Sequence, residues 1–237
     1  MPTIEELRKA MAKQNASESV VDDEQMETVA KGENTFDPRD ALSDTVMQET
    51  ERLYDVIDAL NLSKQDTIPI GKSIFDVLNE ATLTAFLASA NRASMACNKY
   101  LKSLGYTASE DIDDADALSK PISLPAPLMV IRDKAKFEAF QNSFGISYDD
   151  AKQEKADFDV KPFLQSDSDS VGADEIPDLM EYAECLIRNA PVQDKEKADA
   201  LMEIYQDLLR RAVLDWMVVG FDEGWRGATN LMGAGDN

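Results

Sequence analysis

Residues 73–105 read SIFDVLNEATLTAFLASANRASMACNKYLKSLG, and this stretch decides the fold class. Ser73, with Asp76 three residues later, is typical of the start of a helix, and Gly105 of its end. Between them, apolar residues recur with the heptad spacing of a helix that packs along another helix. They are Leu83, Phe86, Ala90, Ala93, Cys97, Tyr100 and Leu104. The many alanines and serines predict a close neighbouring helix, in the same molecule or in a second subunit.

The other strong patterns in the chain are also helical. We predict helices over residues 37–62, 133–144, 177–189 and 193–219, because apolar residues recur there with helical spacing. Pro69 and Gly71 are predicted to break the chain before the long helix, and residues 145–172 to form a polar connection. The apolar run at 128–131 is too brief to assign as a strand. We therefore predict an all-α helical bundle with two helical halves joined by an acidic, Pro-rich linker.

The same patterns divide the chain into five segments. They are a short helix plus an acidic flexible N-terminal arm (1–36), a helical hairpin with the long heptad-patterned helix (37–105), the acidic and Pro-rich linker (106–127), a helical domain with a candidate carboxylate site (128–226) and a flexible tail (227–237).

The charge of the chain limits its partners. Its 237 residues carry 46 Asp and Glu against 24 Lys and Arg, a formal net charge of −22. Such a surface repels phosphate backbones and anionic membranes, so we expect no direct nucleic-acid or membrane partner. It attracts basic proteins or divalent cations, although most of these charges are expected to be solvated surface.

The chain contains no histidine, which excludes Ser-His and Cys-His nucleophile systems. We expect no zinc, haem, flavin or nicotinamide, so acid–base or metal chemistry would depend on carboxylates. Cys97 and Cys185 lie in apolar helical patterns and are interpreted as buried hydrophobes in a reducing compartment. The N-terminal sequence lacks the apolar core of a signal peptide. We expect a cytoplasmic location, or host cytoplasm or virion for a viral protein, rather than secretion.

Paired carboxylates are the candidate functional residues. Residues three apart share one helical face, so helices 177–189 and 193–219 each present two neighbouring acids. The break at Pro191 would fold these helices against each other and create a hard-oxygen site suited to Mg²⁺. The predicted metal ligands are Glu181, Glu184, Glu196 and Asp199, with Glu203 as a possible fifth. The alternative is that these acids are exposed faces of a generally acidic protein.

Besides the paired carboxylates, four short stretches of the second half match one family pattern: FQNSFG at 140–145, EKADAL at 196–201, GFD at 220–222 and TNLM at 229–232. With them, the second half resembles the all-α nucleoside-triphosphate pyrophosphohydrolases, the MazG-type and phosphoribosyl-ATP pyrophosphohydrolase-like group. That family pairs an E-x-x-E helix with an E-x-x-D helix around magnesium, and its pattern has a histidine in place of Gln141. The lysine that usually follows the last motif is missing, and the similarity covers only residues 137–232.

The resemblance implies a Mg²⁺-dependent hydrolase that binds a nucleotide. The carboxylates would hold Mg²⁺ on the triphosphate, and the metal would activate a water for attack between the α- and β-phosphates. Glu181 and Glu184 are the implied catalytic residues. Lys195 and Lys197 would offset phosphate charge, and Asn230 would contact the nucleotide.

A non-catalytic function accounts for the same sequence. The heptad helix, the acidic arm and the Gly-rich tail suit an α-helical structural or adaptor protein of a larger assembly, such as a viral component. Its partners would be protein subunits, and we expect the chain to form a homo-oligomer. Convergence of the carboxylates would favour the enzyme, whereas carboxylates that point into solvent would favour the adaptor.

Overall fold

The computed structural model describes residues 53–54, 57–58, 62–106, 126–171, 174–192 and 195–233. These residues belong to one compact unit and form helices but no strand, so the all-α prediction is confirmed for the described part. The helices are α1 (Lys64–Ser103), α2 (Ala126–Phe144), α3 (Tyr148–Lys152), α4 (Val160–Val171), α5 (Ile176–Arg188) and α6 (Lys195–Gly233). None of them is long and apolar enough to cross a membrane.

The two longest helices, α1 and α6, form the centre of the fold and make the most extensive contact in it. Gly220 and Gly224 of α6 lie against the backbone of α1. A Cβ atom at these positions would lie 2.3 Å from the carbonyl oxygen of Phe86 and 2.1 Å from that of Ala90. The two backbones are in contact at these positions, and only glycine permits this approach because it has no Cβ atom. The close helix neighbour predicted from the small residues of α1 is therefore α6 of the same chain.

The predicted break at Pro69 and Gly71 is wrong, because α1 begins at Lys64 and continues through both residues. Pro69 lies near the start of the helix, where its missing N–H removes one backbone hydrogen bond. Gly71 provides a close contact, since a Cβ atom there would lie 2.4 Å from the Tyr54 ring. Ser73 is buried inside the helix and does not begin it.

The predicted polar connection at residues 145–172 contains two helices, α3 and α4. The side chain of Ser147 starts α3 by accepting a hydrogen bond from the backbone N–H of Asp150. Helix α4 buries Val160, Phe163 and Leu164, which have the spacing of one helical face. The run at 128–131 is likewise helical and forms part of the start of α2.

The two C-terminal helices follow the sequence prediction closely at three of their four ends. Helix α5 matches the predicted 177–189 to within one residue, and α6 begins near the predicted start. However, α6 continues to Gly233, beyond both the predicted helix end at 219 and the predicted start of the tail at 227. The extension packs, because Trp225, Ala228 and Thr229 are buried. The predicted arm (1–36), most of the first hairpin helix and most of the linker lie outside the described residues.

The two predicted halves share one hydrophobic core. An aromatic cluster joins α2, α3, α4 and α6, with ring centroids of neighbouring members 4.8–6.0 Å apart. Its members are Phe140, Phe144, Tyr148, Phe163 and Phe221. Helix α1 contributes Ile74, Val77 and Leu78 to the same core, so the described helices of both halves pack as one body.

Candidate functional site

Glu184 is the one predicted site acid that the structure buries, with 8% of its side chain exposed. One carboxylate oxygen accepts a hydrogen bond from the Lys161 ammonium of α4, and the other lies 2.6 Å from a guanidinium nitrogen of Arg188. Two cations therefore compensate this buried charge, as burial of a carboxylate requires. The charge of Glu184 is a secondary cause of the raised pKa of the buried Tyr205 hydroxyl, after burial itself.

The other four predicted acids lie on exposed helix faces. Helix α5 has a larger contact with α1 than with α6. The residues that it buries against its neighbours are Ile176, Met180, Ala183, Glu184 and Ile187. Glu181 is about 60° around the helix from Glu184, and it faces solvent. On α6, Leu201 and Tyr205 define the buried face, and the acids alternate with them on the outside. The exposed acids are Glu181, Glu196, Asp199 and Glu203.

The structure does not bring the predicted metal ligands together. Among the residues that the structure describes, no group of three or more Asp, Glu or Cys side chains is arranged to hold a metal ion. The reason is the direction of α5, whose buried face turns toward α1. The E-x-x-E spacing thus divides its two acids between a buried ion pair and the surface.

The predicted nucleotide contacts are also separated. Lys195 and Lys197 are exposed in the first turn of α6, whereas Asn230 lies 33 residues after Lys197 on the same helix. At 1.5 Å per residue, the lysines and Asn230 are about 50 Å apart along the axis. One nucleotide cannot span that distance, so these residues do not meet at one substrate site within a single copy of the chain.

The residues of the other resembling motifs have packing roles. Phe140, Phe144 and Phe221 belong to the aromatic cluster, and Gly220 permits the α1–α6 contact. The Thr229 hydroxyl donates to the Trp225 carbonyl oxygen at 2.8 Å and lies 3.4 Å from the sulfur of the buried Cys97. Burial is the main cause that raises the pKa of this thiol. Cys185 is exposed, so the prediction that both cysteines are buried is wrong for it.

A polar network that the sequence did not reveal links α2, α3 and α6. The Tyr148 hydroxyl donates to both carboxylate oxygens of Asp222, at 2.8 and 3.0 Å, and Lys136 binds the same group at 2.9 Å. The Lys136 ammonium also lies 4.9 Å from the centre of the Tyr148 ring. Burial, together with the hydrogen bond to Asp222, raises the pKa of the Tyr148 hydroxyl far above its usual value. The network fixes the short helix α3 against the bundle.

A second polar contact holds α4 against α1 and α2. The Arg92 guanidinium of α1 binds both oxygens of Asp167 at 2.7 Å and donates to the Ser143 carbonyl oxygen at 3.1 Å. The central carbon of the Arg92 guanidinium, Cζ, lies 4.9 Å from the centre of the Phe144 ring and 5.7 Å from the centre of the Phe163 ring. One arginine thus connects three helices through charge and aromatic contact.

Helix α2 carries the most concentrated exposed apolar surface among the described residues. Of its 19 residues, only Phe140 is fully buried. Three consecutive large residues near its start are exposed, Met129 by 45%, Val130 by 71% and Ile131 by 50%, and Phe137 two turns later by 38%. A concentration of exposed apolar side chains on one element is typical of an interaction surface.

An open depression of about 410 Å³ adjoins this surface between α2 and α3. The Phe137 and Tyr148 rings stack in its wall, with centroids 4.5 Å apart and planes 17° apart. Charged and polar side chains surround the two rings. They are Lys134, Glu138, Gln141, Ser147 and Asp149. The apolar run at 128–131 was visible in the sequence, but the exposure of its residues depends on how α2 packs.

Comparison with known proteins adds no functional assignment. No protein-family model matches the chain, and searches of curated proteins and of solved structures find no significant match.

Proposed function

We propose that this chain is a non-catalytic α-helical adaptor or structural component of a larger assembly, and that a protein subunit docks on α2. The observation that carries the proposal is the exposure of Met129, Val130, Ile131 and Phe137 on one helix. Burying such side chains against a partner is favourable, at roughly 25 cal/mol per Å² of apolar surface removed from water.

The rest of the described bundle supports a scaffold role. The α1–α6 contact and the Arg92 and Asp222 networks brace the body from which α2 projects its apolar residues. A surface held on a rigid body loses little conformational freedom when a partner binds, which favours binding. The candidate catalytic acids give weaker support to an enzyme, since Glu184 is paired with Lys161 and Arg188 and the other four are exposed.

Site-specific photo-crosslinking tests the adaptor proposal. A photoreactive amino acid replaces Val130 in the full chain, which is expressed in the cells that naturally produce it. The matched control replaces Met95, a 66% exposed apolar residue of α1. We expect a discrete protein adduct from position 130 and none from position 95. Equal labelling at the two positions, or no adduct at 130, would contradict the proposal.

A Mg²⁺-dependent nucleoside-triphosphate pyrophosphohydrolase is the competing proposal. The observation in its favour is that α5 and α6 contact each other, as the predicted hairpin requires. For catalysis, Glu184 would have to exchange Lys161 and Arg188 for a metal-bound arrangement with the exposed acids. Mg²⁺ would then hold the triphosphate and activate the attacking water.

Pyrophosphate release separates the two proposals. The purified full chain is incubated with Mg²⁺ and a panel of ribo- and deoxyribonucleoside triphosphates. The adaptor proposal predicts release no faster than in a protein-free blank. Release that Glu184→Gln abolishes, measured on a variant shown to be folded by circular dichroism, would replace the adaptor with the enzyme.

A further inference from the structure

Resting on the proposed adaptor function, we propose that the partner docks through a cationic amphipathic segment. Its apolar side chains cover Val130, Ile131 and Phe137, and its basic side chains meet the carboxylates of Glu138 and Asp149 beside the depression. The inference names the chemistry of the partner, which the adaptor function alone leaves open.

The arrangement of α2 defines the shape of this docking surface. Val130, Lys134, Phe137 and Gln141 are spaced by three or four residues, so they follow one another along a single stripe of the helix. The stripe leads from the exposed apolar run into the depression, which Lys134, Phe137 and Gln141 line. A partner helix or strand that follows α2 would therefore meet apolar side chains first and the polar depression next.

The depression is lined by two carboxylates, Glu138 and Asp149, and one ammonium, Lys134. Lys136 has only 17% of its side chain exposed and is bound to Asp222, so it contributes little charge to the outside. The exposed Lys134 lies 3.8 Å from the exposed Glu138, which offsets it. On α3, Asp149 and Asp150 are exposed together with one cation, Lys152, and at the start of α2 Arg132 and Asp133 lie 3.7 Å apart and offset each other. Within a chain of net charge −22, the excess of carboxylates at the depression favours a positively charged partner.

The depression has the chemistry that a guanidinium or ammonium group requires. Aromatic faces attract cations, and carboxylates beside them accept the cation's hydrogen bonds. The structure already contains one such contact, because the Lys136 ammonium lies 5.2 Å from the centre of the Phe137 ring and 4.9 Å from that of Tyr148. Phe137 remains 38% exposed, next to the Glu138 and Asp149 side chains that line the depression.

A second copy of this chain fits the same surface poorly. Each copy carries a net charge of −22, and a symmetric contact through α2 would bring together two depressions that each carry two carboxylates and one ammonium. Repulsion between charges at such short range is only partly screened at physiological salt, where the Debye length is about 8 Å. A basic partner avoids this repulsion and gains attraction instead.

Fluorescence anisotropy with synthetic peptides tests the inference on the full chain. The probe is a labelled amphipathic helix of leucine and lysine, about 18 residues long so that it can form a helix on binding. Two comparison peptides are a scrambled sequence of the same composition and the same helix with glutamate in place of lysine. We expect the cationic amphipathic peptide to bind about tenfold more tightly than either.

Matched variants locate the binding. Val130→Ser with Ile131→Ser removes apolar surface without adding charge, and should weaken binding of the cationic helix about tenfold. Glu138→Gln with Asp149→Asn should weaken it several-fold. The controls are Met95→Ser on α1 and the pair Asp199→Asn with Glu203→Gln on α6, all at exposed positions. They should change the affinity less than about twofold.

Three results would overturn the inference. The control variants could weaken binding as much as the α2 variants, which would mean general attraction to an acidic protein. The glutamate peptide could bind as well as the lysine peptide. Light scattering could reveal a dimer that Val130→Ser with Ile131→Ser dissociates, which would make a second copy the occupant. If photo-crosslinking at position 130 succeeds while any of these holds, the adaptor function stands and only the partner's chemistry is wrong.

Discussion

The α1–α6 contact and the first half of α2 use helices in opposite ways. Along the first, glycines bring two backbones together, and a Cβ atom at Gly224 would lie 2.1 Å from the Ala90 carbonyl oxygen. Along the second, Val130 is 71% exposed and Ile131 is 50% exposed. Both stretches are rich in apolar residues. Hydrophobicity alone therefore does not distinguish the buried contact between α1 and α6 from the exposed apolar run of α2, whereas residue size at the contact does.

The largest difference between the two regions should appear on removing the same side chain from each. Ile74 of α1 is fully buried, and Ile131 of α2 is 50% exposed. Ile74→Ala should lower the free energy of unfolding by about 2–5 kcal/mol, because it leaves a cavity in the core. Ile131→Ala should change it by less than about 0.5 kcal/mol. Urea unfolding followed by circular dichroism measures both, and similar losses would mean that α2 is packed like α1.

Adding one methyl group to α6 probes the backbone contact. Gly224→Ala should lower the free energy of unfolding by about 1–3 kcal/mol, since the new Cβ atom must displace the α1 backbone.

The matched control for this change is Gly227→Ala, on the same helix, where a Cβ atom would meet nothing within 4 Å. It should raise the free energy of unfolding by about 0.5–1 kcal/mol, because alanine is the better helix former. If both substitutions stabilise the chain equally, the backbones of α1 and α6 are not in contact.

The smallest of the three effects concerns the acids. Glu184→Gln should lower the free energy of unfolding by about 1–2 kcal/mol, because Lys161 and Arg188 lose their buried partner. The loss is limited because both cations can turn toward solvent. Glu203→Gln, at an exposed position of α6, should change stability by less than about 0.5 kcal/mol. Equal effects in thermal or urea unfolding would show that Glu184 is not a buried structural charge.

Helical spacing predicted much of the fold, and particular residues show where it stopped. The pattern within 177–189 predicted α5 almost to the residue, and the alanines and serines of α1 predicted a close helical neighbour. The break predicted at Pro69 and Gly71 is wrong because a helix can accommodate such residues near its start when packing compensates for them. At Gly71, the contact with Tyr54 provides this packing. Helix α4 was missed because its polar C-terminal part concealed the spacing of Val160, Phe163 and Leu164.

The candidate site could be predicted less well, for a different physical reason. Spacing fixes which residues share a helical face, but it does not say which neighbour that face meets. Glu181 and Glu184 lie three residues apart, yet the contact of α5 with α1 buries one and exposes the other. The exposure of Val130 and the pairing of Asp222 with Tyr148 likewise depend on contacts between distant parts of the chain.

Arg92 has a consequence for how this sequence can change over time. Its guanidinium donates hydrogen bonds to two carboxylate oxygens and one carbonyl oxygen and lies beside two aromatic rings. The single ammonium group of lysine cannot make this combination of contacts. Loss of Asp167 would remove two charge-assisted hydrogen bonds from a largely buried cation, and loss of Arg92 would remove the same two bonds from a buried anion. Drift at either position is therefore constrained by the other, and descendants of this chain should keep or replace the two residues as a pair.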